Sequence, residues 1–117
     1  MRVMRTTATA VAALALAVGG GLATASSASA ATPCPSGAFC IREADGSILN
    51  KNIFYSYGYH NLSNVTGQRV VVNNQTGGAG FQECTGYNGK NCSPVYRGTG
   101  EYAPLDYTPI NSVVLVR

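Results

Sequence analysis

Tyr59-His60-Asn61-Leu62, followed at Val70 by Val70-Val71-Val72, returns later in the chain as Tyr102-Ala103-Pro104-Leu105, followed by Val113-Val114-Leu115. Tyrosine, leucine and the first valine are each displaced by 43 residues. That pattern predicts two copies of one supersecondary unit, each unable to bury its apolar face alone and therefore packed on its twin. Two four-stranded Greek keys are the natural candidate. The bland alternative is chance agreement among residues that are common in strands.

The sequence around this repeat reads as strands. Short β-branched or aromatic runs are separated by turn residues: Phe39 to Arg42, the Asp45-Gly46 turn, Ile48 to Tyr55, and a strand from Gly58 onward. Val70-Val71-Val72 ends at Asn73-Asn74, Ala79 to Glu83 leads into a Gly/Asn-rich tip, and Ser112 to Val116 closes the chain. No stretch after Ala31 has the periodicity of an amphipathic helix. A spacing of about ten residues per strand fits a sandwich or barrel.

Upstream of this region the composition changes. Arg2 and Arg5 precede an apolar run from Ala10 to Val18, which Gly19-Gly20-Gly21 ends, and Ala28-Ser29-Ala30 offers the small residues of a cleavage site. This is the layout of a signal peptide over residues 1–30, with one β domain over residues 31–117. Nine apolar residues fall short of the ~20 that cross a bilayer as a helix, so no membrane association is expected once the leader is gone. The expected destination is the cell exterior. Without the leader, six basic residues face five acids, a net charge of +1, and no Lys/Arg cluster marks a nucleic-acid partner.

Eighty-seven residues bury a modest core, and such domains are often stapled. Cys34, Cys40, Cys84 and Cys92 all follow the leader, and three pairings are open. The local one, Cys34–Cys40 with Cys84–Cys92, closes short loops at low entropic cost and is expected to contribute roughly 2–3 kcal/mol per bridge. The gaps between these cysteines do not match zinc-knuckle spacing and there is one histidine, so no metal and no cofactor are expected.

Catalytic chemistry has little to work with. His60 sits in a turn-like Tyr57-Gly58-Tyr59-His60-Asn61 context, better suited to a hydrogen-bonding or exposed histidine than to a general base. Glu43 and Asp45 flank a turn, Glu83, Glu101 and Asp106 are scattered, and Ser36 and Ser93 lack a nucleophile-elbow context. No catalytic residue is assigned and no enzyme activity is expected. Asn61, Asn64, Asn74 and Asn91 each begin an Asn-x-Ser/Thr triplet, which a chain this rich in Asn, Ser and Thr generates by chance.

Two segments suit recognition instead. Tyr55, Tyr57 and Tyr59 alternate, so in an extended strand they share one face that could bind sugar or protein; packing between sheets is the structural alternative. Cys84-Thr85-Gly86-Tyr87-Asn88-Gly89-Lys90-Asn91-Cys92 is expected to form a tethered, exposed tip. A loop closed by a disulfide has already lost much of its freedom, so little ordering entropy is spent on binding, a property that suits peptidase inhibition. A hairpin end stapled for stability alone is the competing reading.

Cys34-Pro35-Ser36-Gly37-Ala38-Phe39-Cys40, with Asn61-Leu62-Ser63 and Val71-Val72-Asn73-Asn74-Gln75-Thr76 downstream, resembles the secreted bacterial peptidase-inhibitor family related to metalloproteinase inhibitors. The resemblance spans most of residues 33–117. It implies a βγ-crystallin-like pair of Greek keys and points to an extracellular peptidase, a metallopeptidase by preference, as partner; the chain is expected to act as a monomer. The βγ-crystallin calcium motif needs paired Asn/Asp residues and a hydroxyl; Val65–Val70 and Tyr107–Ser112, at the corresponding places, lack the pair, so no tight calcium site is expected. A thermolysin-like enzyme favours a bulky apolar side chain after the bond it engages. Only Tyr87 in the loop qualifies, which makes Gly86-Tyr87 the expected recognised pair. The alternative partner is a cell-envelope glycan or protein bound by the tyrosine face.

Overall fold

The computed structural model describes residues 2, 4, 5 and 32–117. The apolar run, the cleavage site and the start at Ala31 lie outside the described residues. Those described form a small all-β structure of ten strands: β1 Met4–Arg5, β2 Phe39–Ile41, β3 Ile53–Phe54, β4 Gly58–Asn61, β5 Gln68–Arg69, β6 Val71–Asn73, β7 Gly80–Cys84, β8 Gly100–Tyr102, β9 Leu105–Asp106 and β10 Ser112–Val116. They make three antiparallel sheets, ordered β1-β8-β6-β2-β3, β4-β10-β7 and β5-β9. Among the described residues there is no α-helix, only two short 3₁₀ turns.

The two larger sheets exchange strands. β4 belongs in sequence to the first half but pairs with β10, whereas β8 of the second half pairs with β6. The pairing register also repeats. Phe39 faces Asn73, Cys40 faces Val72 and Ile41 faces Val71; forty-two residues on, Phe81 faces Leu115, Gln82 faces Val114 and Glu83 faces Val113. Phe39 pairs with Phe54, and Phe81 makes an isolated bridge to Tyr96 at the same separation. The displacement is therefore 42 residues, not the 43 suggested by the sequence. One residue matters because successive side chains in a strand point to opposite faces. The counterpart of buried Tyr102 is His60, and Tyr59, matched to Tyr102 by sequence, points out to solvent.

The core lies where the inward faces meet. Phe39, Ile41, Phe54 and Val71 from one sheet join Phe81, Val113 and Leu115 from the other, with Leu62, Val65, Tyr102, Tyr107 and Ile110 completing the cluster. The rings of Phe39 and Phe81 approach to 4.5 Å between centroids across the sheets, and Tyr102 meets Phe81 edge-on at 5.0 Å. On the outer face of the first sheet, Cys40 and Val72 pack with Cys34 and Ala38 in a second cluster. Both disulfides take the local pairing, Cys34–Cys40 and Cys84–Cys92, and among the described residues no cysteine is free.

The expected strand from Ile48 to Tyr55 is shorter than its composition suggests. Asn50, Lys51 and Asn52 form a 3₁₀ turn, leaving only Ile53–Phe54 paired. Asparagine competes for backbone hydrogen bonds and favours turns, whereas the isoleucines on either side still pack against the outer cluster.

Candidate functional site

The segment from Cys84 to Cys92 begins as a hairpin. The disulfide joins residues that are also bridge partners, Thr85 N–H donates to the Asn91 carbonyl at 3.0 Å, and Gly86 N–H donates to that of Lys90 at 2.9 Å. Tyr87–Gly89 turns the chain, with Asn88 at φ 61° and Gly89 at φ 71°. Asparagine and glycine are the residues that enter the left-handed region at least cost.

The hairpin does not project from the sheet as a free tip. It folds back over the outer face of β4 and β10. Asn61 Oδ1 accepts from Asn88 N–H at 2.7 Å, and Asn61 Nδ2 donates to Asn88 Oδ1 at 2.9 Å. Ser112 Oγ accepts from Gly89 N–H at 3.0 Å and donates to the Gly86 carbonyl at 2.6 Å. Asn111 Nδ2 holds the Thr85 carbonyl at 2.7 Å. A Cβ on Gly89 would lie 3.1 Å from Val114 and 3.2 Å from Tyr59, so close packing as well as its positive φ favours glycine there. These contacts fix the ring from inside while Tyr87 stays 56% exposed. Lys90 supplies its one charge.

Tyr87 borders an open cleft of about 300 Å³ lined also by Leu62, Val65, Thr66, Thr108 and Ile110. On its other side the loop meets β4, which carries Tyr59. Tyr55, Tyr57 and Tyr59 are all exposed, Tyr57 beneath the Arg117 guanidinium at 5.1 Å, so none of the three packs between the sheets. Tyr55 and Tyr57 lie in the bend between β3 and β4 and only Tyr59 is in a strand, so the three do not form the single extended face that their alternation suggested; Tyr59 packs against the ring at Gly89.

Other polar groups are engaged locally. His60 Nε2 donates to the Ser56 carbonyl at 2.8 Å, and its ring lies 4.9 Å from that of Phe54. Ser93 Oγ accepts from Glu83 N–H and donates to the Pro94 carbonyl. Glu43 pairs with Arg69 and Glu101 with Arg42. Asp45 and Asp106 accept from Ser47 and Thr108 within their own turns, and those hydrogen bonds hold both carboxyls below the usual aspartate range. Among the described residues no three of His, Cys, Asp and Glu come together as a metal site would need.

No family model, curated protein or solved structure matches this chain. The family resemblance therefore rests on the Cys34–Cys40, Asn61–Ser63 and Val71–Thr76 segments alone. A polar cluster beside the loop was not among the sequence expectations. Glu83, buried within β7, accepts a hydrogen bond from the Tyr107 hydroxyl and pairs with Arg2. Burial first, then the facing Glu83 carboxylate, raises the Tyr107 hydroxyl well above its ordinary pKa of 10.0. The available signal was a carboxylate at an inward position of an otherwise core-forming strand.

Proposed function

We propose that this chain is the precursor of a secreted, monomeric, extracellular inhibitor of a peptidase, a metallopeptidase by preference, acting through the Cys84–Cys92 ring. The carrying observation is the combination of a ring fixed by Asn61, Asn111 and Ser112 with a side chain, Tyr87, left exposed at its turn. Because the backbone is already ordered, engagement costs little conformational entropy, and Tyr87 enters the enzyme's apolar pocket as a knob with Gly86 beside it. Gly86 is extended, at φ −94° and ψ 161°, whereas the following residues turn away. Recognition on this reading rests on the Gly86-Tyr87 pair and not on a long substrate-like strand.

The scaffold is read as a βγ-crystallin-like sandwich of two Greek keys. Exchange of β4 and β8 between sheets, together with the 42-residue repeat in register, supports this reading. Two disulfides suit an oxidising compartment. The exposure of Tyr55, Tyr57 and Tyr59 favours a second reading, a non-inhibitory module that binds an envelope glycan or a protein through those rings.

Titration of the secreted protein against a thermolysin-like metallopeptidase and a serine peptidase tests the inhibitor reading. Inhibition of the metallopeptidase is expected, lost in Tyr87→Ala and weakened in the double variant Cys84→Ser, Cys92→Ser. Full peptidase activity at micromolar protein, with retention on envelope polysaccharide abolished by Tyr57→Ala and Tyr59→Ala, would favour the second reading.

A further inference from the structure

Glu83 stands where the other half of the molecule has Ile41, since both face a buried valine in the repeated register. At the same displacement Tyr107 replaces Val65, and both are buried. The two polar departures from the repeat meet, with the Tyr107 hydroxyl donating to Glu83 Oε2. A carboxylate at a core position is costly unless it is paired and hydrogen-bonded, so its presence points to a cationic occupant.

The occupant in this structure is Arg2. Its Nη1 pairs with Glu83, its Nε and Nη2 donate to the Ala103 carbonyl at 3.0 and 2.8 Å, and its guanidinium carbon lies 5.5 Å from the centroid of the Tyr102 ring. The Arg2 and Glu83 side chains are 5% and 3% exposed. A planar fork facing a carboxylate, a carbonyl and an aromatic ring is chemistry selective for guanidinium; an ammonium cannot make this set of contacts at once. The following residues extend the recognition. Met4 and Arg5 add a strand to β8, opposite Tyr102 and Glu101, and a Cβ on Gly98 would come within 2.7 Å of the Met4 sulfur.

Residues 2–5 belong to the segment read above as a removable leader. We propose that Glu83, Tyr107, Ala103 and Tyr102 form a guanidinium site which, in the processed protein, takes an arginine from an extended peptide segment of a partner that adds to the edge of β8. Main-chain pairing supplies affinity and the pocket supplies selectivity, as in other strand-addition interfaces. The proposal shares only the loss of the leader with the inhibitor reading. Variants in the Cys84–Cys92 ring leave it untouched, so the two fail separately.

The test uses the protein collected after secretion, its start at Ala31 checked by mass, and the blocked peptide N-acetyl-Arg-Val-Met-Arg-amide as probe. Saturable binding is expected by calorimetry, with backbone amide shifts at Glu101 and Tyr102. Replacing the first arginine of the peptide by citrulline, or Glu83→Gln in the protein, is expected to weaken binding about tenfold or more, because each removes one charge of the ion pair. Gly98→Ala leaves the charges in place and crowds only the flexible Met4 side chain and the Tyr102 hydroxyl, so it is expected to weaken binding far less than loss of either charge. Should Glu83→Gln not fold, the citrulline peptide decides. Absence of binding at millimolar peptide, equal affinity for the citrulline peptide, or secreted protein that still carries residues 2–5 overturns the proposal.

Discussion

The two halves of this molecule share one pairing register and use it differently. In the first half, Ile41 fills the core and Arg42 beside it closes the following loop, donating to the Gly46 carbonyl at 2.8 Å while pairing with Glu101. In the second half the same two positions hold Glu83 and Cys84: the carboxylate faces Arg2, and the disulfide from Cys84 closes the next loop. On the exchanged strands, His60 in β4 stands where Tyr102 is buried in β8. A repeated β framework thus tolerates exchange of a core aliphatic for an ionised group, or of a guanidinium clamp for a covalent one, where a partner satisfies the new group. The second half is the specialised one, carrying both the fixed ring and the guanidinium pocket.

The largest expected effect bears on the register itself. Tyr102→Ala removes a buried ring and is expected to cost about 3–5 kcal/mol in urea unfolding, whereas exposed Tyr59→Ala stays within about 0.5 kcal/mol. Comparable losses at the two tyrosines would break the 42-residue correspondence. The two loop closures come next. Cys84→Ser with Cys92→Ser is expected to cost about 2–3 kcal/mol, and Arg42→Met about 1–2 kcal/mol because its ion pair is partly solvated. A greater loss from Arg42→Met, read from the same denaturation curves, would make the first half the more dependent on its clamp.

The smallest expected effect is the pH dependence carried by Tyr107, whose counterpart Val65 does not titrate. The folded state raises the hydroxyl pKa, so its contribution to stability is fully present below the ordinary value of 10.0 and is lost as pH rises toward the folded value. Thermal melts are expected to show a falling melting temperature above about pH 10, with a shallower fall in Tyr107→Phe. Parallel alkaline profiles for the two proteins would mean that Tyr107 ionises without strain.

Much of the scaffold was legible in the sequence. Alternating β-branched and aromatic runs marked β2, β4, β6, β7 and β10, turn residues marked their ends, and short separations in the chain marked both disulfides. The repeat was not legible in its true register: at the 42-residue displacement Tyr102 corresponds to His60 and Leu105 to Ser63, so the tyrosine and leucine matches at 43 are chance agreement among common strand residues, and only the valine runs overlap. The stapled ring was legible as a closed segment. Its placement was not: Asn61, Asn111 and Ser112, which hold it, lie 19 or more residues away in the chain.

What the sequence determined by itself is local: strand propensity, turn chemistry and cysteine spacing act between residues close in the chain. Tertiary structure alone decided that Tyr55, Tyr57 and Tyr59 face outward, that the ring lies back on β4 and β10, and that Glu83 meets Tyr107 and Arg2. Each of those outcomes depends on which sheet a strand joins. Cross-strand register sets that arrangement through partners distant in the chain, and it is there that a buried carboxylate finds the charge that makes its burial tolerable.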